Sequence, residues 1–242
     1  MFEEPDRRRI YLLRHGEAAY VAENGAVTDD PRNVPLTATG RIQARKQSAI
    51  LASVEFDKAI CSGLPRTRET AKLVLAYRDH PALEVIPELE EIHGGDGPDK
   101  ATDMRAWLAH VANPWAGGDH PEAKFLGGER FTDFAARVVP AFDAIIADRS
   151  WRTLLLVLHG AVNRMIFNHV LGLSWQGRVS IEQDNCCINV IDVDSDPDGK
   201  ASRYLIRAVN LTSYDLNKSS VHLTNLEQTA QRIAGTLQVA GD

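Results

Sequence analysis

The sequence predicts an α/β fold with three layers, α/β/α, around a mostly parallel central sheet, and a lid of helix and loop inserted in the middle of the chain. Two observations carry that expectation. Three short apolar runs, Ile10–Leu13, Phe56–Cys61 and Thr153–Leu158, read as strands covered on both faces. Helix-period segments separate them, and alternation of strands with helices builds a mainly parallel sheet.

The elements follow in order. After the first strand, residues 20–35 are polar and hold Asp29-Asp30-Pro31 and Pro35, a surface excursion. Thr37 is placed to cap a helix running to about Val54. Pro65 suits a helix start after the second strand, with Ala71, Val74 and Leu75 on one face. Residues 93–128 hold Gly94-Gly95, Gly97-Pro98, Gly117-Gly118 and Gly127-Gly128, with a helix from about Lys100 to Ala112; this stretch reads as the lid. Phe131, Phe134, Val138, Phe142 and Ile145 mark one stripe of a helix from Phe131 to about Ile146. Val162, Met165, Ile166 and Val170 mark the next helix, stopped at Gly172. Cys187–Val193 and Arg203–Val209 read as a strand pair, and Leu223–Leu237 as a terminal helix.

A chain of 242 residues can bury a full core as a single domain spanning 1–242, with the lid at about 93–128. Hydrophobic residues at 44% and charged residues at 25% exclude a disordered chain. The net charge of −6 excludes a broad nucleic-acid-binding face but leaves room for a local cationic pocket. Three cysteines exclude a disulfide scaffold, and Cys61, Cys186 and Cys187 read as reduced core thiols. The acidic first residues do not resemble a secretory signal, and the longest apolar run, Leu154–Leu158, is far shorter than the ~18 residues a membrane span needs. The expectation is a cytoplasmic protein that binds a small phosphorylated substrate, with no nucleic acid or membrane partner and a homodimer as an allowed state.

The strand ends carry the chemistry. The first runs into Arg14-His15-Gly16-Glu17, the second into Ser62-Gly63-Leu64-Pro65-Arg66, the third into His159-Gly160. Ligands of open parallel sheets sit beyond the carboxyl ends of the strands. Neighbouring strands would therefore gather two guanidiniums and two imidazoles in one small volume. Arginine matches phosphate oxygens with paired donors and keeps its charge. Histidine is a competent nucleophile toward phosphorus. A glycine after each histidine lets the backbone approach a ligand closely.

Here the sequence resembles the histidine phosphatase superfamily, the phosphoglycerate-mutase-like proteins. Ile10–Glu17, IYLLRHGE, resembles the family signature. Leu36–Ala44, Ser62–Ala71, Leu89-Glu90-Glu91 with Gly94-Gly95, Gly127-Gly128-Glu129, and Val157–Gly160 with Asn163-Arg164 resemble further family blocks in family order. The resemblance implies His15 as the nucleophile that becomes phosphohistidine. It implies that Arg14, Arg66 and His159, with Gly160, bind the phosphoryl group. It also implies a carboxylic acid that protonates the leaving alcohol. Glu91 is favoured by its register to Leu89 and Gly95, and Glu90 is the rival. No cofactor and no metal is implied.

Two departures bear on function. Family members often carry an asparagine six residues after the histidine; this chain has Val21, with Asn24 or another loop residue as the candidate substitute. Acids at Asp29-Asp30 would repel an anion if they faced it. Ile92 stands where phosphoglycerate mutases of the family tend to follow the acid with arginine, and residues 92–128 hold only Lys100, Arg105 and Lys124 against five acids. The expectation is therefore a phosphatase, with a mutase and a non-catalytic ligand-binding member as alternatives. Trp107, Leu108, Trp115 and Phe125 would either contact a less polar leaving group or form lid core.

Other chemistries fit less well. Cys61–Arg66 is one residue short of the C-x5-R loop of a cysteine phosphatase, and no P-loop is present. Asp194-x-Asp196-x-Asp198-Gly199 mimics a calcium loop, but Leu205 stands at its twelfth position, so it reads as an Asp-Gly turn between strands. His80, His93, His110, His120, His169 and His222 lack metal spacing; His93 lies two residues from Glu91.

Overall fold

Six strands form one mixed sheet in the order β3-β2-β4-β1-β5-β6. They are β1 (Arg7–Arg14), β2 (Lys58–Cys61), β3 (Leu83–Val85), β4 (Thr153–Leu158), β5 (Ile188–Ser195) and β6 (Ala201–Leu211). The computed structural model describes residues 6–21, 27–76, 81–95, 103–116, 118–175, 181–196, 200–219 and 222–239. β1 through β4 are parallel, while β5 is antiparallel to β1 and β6 antiparallel to β5.

The apolar runs are strands because both of their faces are covered. In β4, Leu154, Leu156 and Leu158 face one cluster, with α4 (Phe131–Ala147) and α5 (Gly160–Val170). Leu155 and Val157 face the opposite cluster, with α2 (Pro65–Val74) and Leu51 at the end of α1 (Ala38–Ile50). This period-two alternation is that of a strand inside three layers. Helices leaving β1 and β4 thus diverge to opposite faces, which opens a crevice beyond the carboxyl ends of these neighbours.

Boundaries moved for identifiable reasons. β1 begins before its apolar run because Arg7 and Arg9 each make a two-point ion pair with β5, to Asp194 and Asp192. Arg8 points to the other face, stacks 4.3 Å over Trp151 and donates to the Ile146 carbonyl at 2.6 Å. β2 starts after Phe56, whose ring packs edge-on against Tyr11 at 5.5 Å. The three-residue β3 had no sequence signal, being shorter than any period can reveal.

Thr37 caps α1, its Oγ1 accepting from the Gly40 amide at 3.0 Å. In the lid, α3 (Met104–Ala112) is capped by Asp103, which accepts from the Ala106 amide at 2.9 Å. Its expected start near Lys100 lies outside the described residues. Trp107 and Val111 of α3 pack on Ala230 and Ile233 of α6 (Asn225–Val239), joined by Leu108, Val21 and Val27. Trp115, Phe125 and Phe131 form a separate aromatic group with centroids 5.4–6.4 Å apart. The expected Asp-Gly turn lies outside the described residues, while on its flanks the Asp196 amide donates to the Lys200 carbonyl at 2.9 Å. Cys61, Cys186 and Cys187 are free and buried. Among the described residues no helix is long and apolar enough to cross a membrane.

Candidate active site

β1 delivers Arg14 and His15 to the crevice, and α1 holds the turn that follows. A Cβ on Gly16 would lie 2.6 Å from the Gly40 carbonyl oxygen, and one on Gly40 would lie 2.1 Å from that of Glu17. Only a glycine pair permits this contact between the His15 turn and the start of α1. Thr37 Oγ1 donates to Glu17 Oε1 at 2.8 Å, and the Gly16 amide donates to Thr70 Oγ1 at 3.1 Å. The His15 ring is buried, and its Nδ1 lies 2.7 Å from the Gly16 carbonyl. A carbonyl can only accept, so Nδ1 carries the proton and Nε2 keeps its lone pair.

β4 delivers His159 beside it, with ring centroids 5.2 Å apart at 65°. His159 Nε2 lies 2.7 Å from Ser62 Oγ, which in turn lies 3.0 Å from Thr67 Oγ1. Arg66, in the first turn of α2, is buried; its Nη1 donates to the Pro31 and Arg32 carbonyls, both at 3.1 Å, and it lies 5.4 Å over the Tyr20 ring. Arg14 Nη1 donates to the Gln183 carbonyl at 2.5 Å. Arg14 Nε, Arg66 Nε and His159 Nδ1 are buried without a hydrogen-bond partner. Buried polar atoms rarely stay unpaired in a finished structure, so three around one histidine mark a place for an oxygen-rich ligand.

Electrostatics agree with that reading. Burial, then Arg66 and Arg14, hold the His15 pKa well below its ordinary value. Burial, Arg66, His15 and Arg14 do the same for His159. Both imidazoles are therefore biased toward the neutral form.

The adjacent glutamates part company. The Glu91 carboxylate accepts from the Ala161 amide at 3.2 Å, beside His159. Glu90 pairs instead with Arg32, next to His93. Arg137 of α4 fixes the segment between them: it donates to the Glu88, Glu90 and Glu91 carbonyls at 2.6, 2.8 and 3.1 Å and pairs with Glu129 at 2.7 Å. Glu129 also accepts from the His93 amide at 3.0 Å.

The structure thus brings Arg14, His15, Arg66, His159, Gly160 and Glu91 together and pairs Glu90 with Arg32. Val21 joins the packing between lid and terminal helix. Asn24 lies outside the described residues. Asp30 serves its own loop, accepting from Asn33 Nδ2 at 2.6 Å, and Asp29 is exposed. His93 Nε2 lies 2.7 Å from Arg32 Nη1, and His169 pairs with Asp143 at 2.7 Å, while His80 lies outside the described residues.

Tyr20, Ser62, Gln183 and Arg137 were not foreseen as site residues. Ser62 had a signal, its place at the end of β2 ahead of Arg66. Arg137 and Gln183 act through contacts far apart in sequence and had none.

Comparison with known proteins places the chain in a family. Residues 10–202 match the family profile described as histidine phosphatase superfamily (branch 1). The adenosylcobalamin/alpha-ribazole phosphatase of Escherichia coli K12 is 30% identical over 187 residues, covering 77% of this chain and 90% of its own. A 2,3-bisphosphoglycerate-dependent phosphoglycerate mutase of Gloeobacter violaceus is 29% identical over 185 residues, covering 73% and 82%. The solved alpha-ribazole phosphatase of Shigella flexneri superposes with a TM-score of 0.63 at 27% identity, covering 84% and 96%.

Proposed function

Because the chain belongs to the histidine phosphatase superfamily (branch 1) and is a phosphoric monoester hydrolase, we propose that it works through a phosphohistidine on His15 and needs no metal. His15 Nε2 attacks phosphorus as the bond to the leaving oxygen breaks. Glu91 gives its proton to that oxygen, so a neutral alcohol departs. Water then attacks the phosphohistidine, Glu91 takes up its proton, and inorganic phosphate and His15 are regenerated. Positioned acid–base help of this kind is worth about 10²–10⁴-fold.

The observation that carries this reading is the set of unpaired buried nitrogens, Arg14 Nε, Arg66 Nε and His159 Nδ1, gathered around His15. They supply donors for the non-bridging oxygens as charge develops, the task a metal ion performs in other phosphoryl-transfer sites. His159 Nδ1 donates when it carries a proton, either in the imidazolium or in the tautomer whose Nε2 accepts from Ser62. Arrival of a phosphoryl anion favours both.

Hydrolysis is favoured over mutase chemistry by the lid. Its described lysines and arginines between 103 and 128 are two, Arg105 and Lys124, both exposed. The experiment is phosphate release from an aryl phosphate in chelator, by wild type and His15→Ala. Chelator-resistant release that the substitution abolishes supports the reading; release that survives the substitution overturns it.

A further inference from the structure

Beside the phosphoryl site lies a cavity of about 490 Å³ that neither the proposed chemistry nor the family resemblance assigns. Its floor is one face of α5, where Ala161, Arg164, Met165 and Asn168 follow at helical spacing. At about 1.5 Å per residue, that face leads about 10 Å away from the first turn. The lid supplies Trp115, the segment after α5 supplies Trp175, and α6 supplies Leu226.

Ala161 joins the two sites. Its amide holds the Glu91 carboxylate at 3.2 Å, and the same residue lines the cavity. The Glu91 carboxylate and the cavity therefore share Ala161 as a common wall.

The walls define that group. Aromatic rings from Trp115, Trp175, Phe131 and Phe134 suit a flat ring system. The one arginine among the described lining residues is already committed: Arg164 Nε donates to the Ile181 carbonyl at 2.9 Å, Nη2 pairs with Glu182 at 3.1 Å, and the guanidinium lies 5.4 Å over Trp115. Glu227, also in the lining, is engaged in the cap of α6, accepting from the Thr224 amide at 2.7 Å. Among the described lining residues, two carboxylates against one paired guanidinium disfavour a second anionic group. We propose that this cavity receives the leaving alcohol, and that the preferred substrate is a monophosphate ester whose alcohol carries an uncharged flat ring on a short arm. The proposal rests on the reading of Glu91 as the acid.

The test compares 2-(2-naphthyl)ethyl phosphate with ethyl phosphate. Both leaving groups are primary alcohols of similar acidity, so they ask the same of Glu91 and differ in what enters the cavity. Wild type should favour the naphthylethyl ester in kcat/KM by at least about tenfold. Leu226→Arg and Trp175→Ala should each pull that ratio toward one, a readout that general damage, which lowers both esters alike, does not move. Binding of 2-naphthylethanol to His15→Ala, followed by tryptophan fluorescence, should weaken at least about tenfold on adding Leu226→Arg. Equal use of both esters by wild type, or a ratio that survives both substitutions, overturns the cavity proposal and leaves the phosphatase reading standing. Naphthylethanol binding that Leu226→Arg abolishes, with neither ester turned over, upholds the cavity and counts against the chemistry.

Discussion

The carboxylate of Glu91 accepts a hydrogen bond from the backbone amide of Ala161, the second residue of the helix that begins after His159. This one contact ties the proposed acid to the element that positions the second histidine. It also separates two adjacent glutamates, since Glu90 pairs with Arg32.

Glu91→Gln should cost about 10²–10⁴-fold in kcat/KM on alkyl phosphates and far less on activated aryl phosphates, whose leaving groups need little protonation. Glu90→Gln should leave the ratio between the two substrate types unchanged. Steady-state kinetics on both types checks this, and equal loss on both in Glu91→Gln would remove the acid from that residue.

Arg137 holds the backbone of residues 88–91 through the carbonyls of Glu88, Glu90 and Glu91. Its replacement by leucine should shift Glu91 and lower kcat on alkyl phosphates by roughly 10–100-fold. Aryl phosphates should suffer less. That leaving-group signature distinguishes lost positioning of the acid from general damage, which would lower both alike.

Acid stability should report the two histidines of the site. In the fold both have pKa values held below their ordinary 6.5. Below pH 6.5 the unfolded chain therefore takes up protons that the folded chain does not. Stability falls as pH drops from that value, by up to about 1.4 kcal/mol per pH unit for each group, and gains nothing from them above it. Denaturant unfolding between pH 6.5 and about 5 should show this slope, reduced in His15→Asn. A slope unchanged by the substitution would mean that His15 is not held neutral.

The contact between lid and terminal helix can be read locally. Trp107→Ala should remove roughly 3 kcal/mol from it. Hydrogen exchange should then show α3 and α6 losing protection together while β4 keeps its own. Loss of protection in α3 alone would contradict the shared packing.

Much of this site was legible in the sequence because its parts are local. Arg14-His15-Gly16 and His159-Gly160 sit at the ends of apolar runs, and a parallel sheet aligns such ends whatever lies between. Thr37 and Pro65 marked helix starts by the chemistry of the first turn. Other parts needed the third dimension. Arg137 looks like an ordinary polar position on an amphipathic helix, and its partners are backbone carbonyls, which carry no sequence signature. Gln183 fixes Arg14 through its carbonyl as well. The paired glycines of the lid, Gly94-Gly95 and Gly127-Gly128, were legible as breaks but not as partners. In the fold a Cβ on Gly128 would lie 2.2 Å from the His93 carbonyl oxygen, so the glycines let the two segments touch.

The central claim is a covalent intermediate on His15, and trapping it tests that claim most directly. Wild type mixed rapidly with an aryl phosphate and quenched during turnover should carry one acid-labile, base-stable phosphoryl group on His15. It should also release a burst of phenol equal to the enzyme present, and His15→Ala should show neither. Turnover by wild type with no burst and no adduct, matched by activity in His15→Ala, would contradict the account and point to direct attack of water on the substrate.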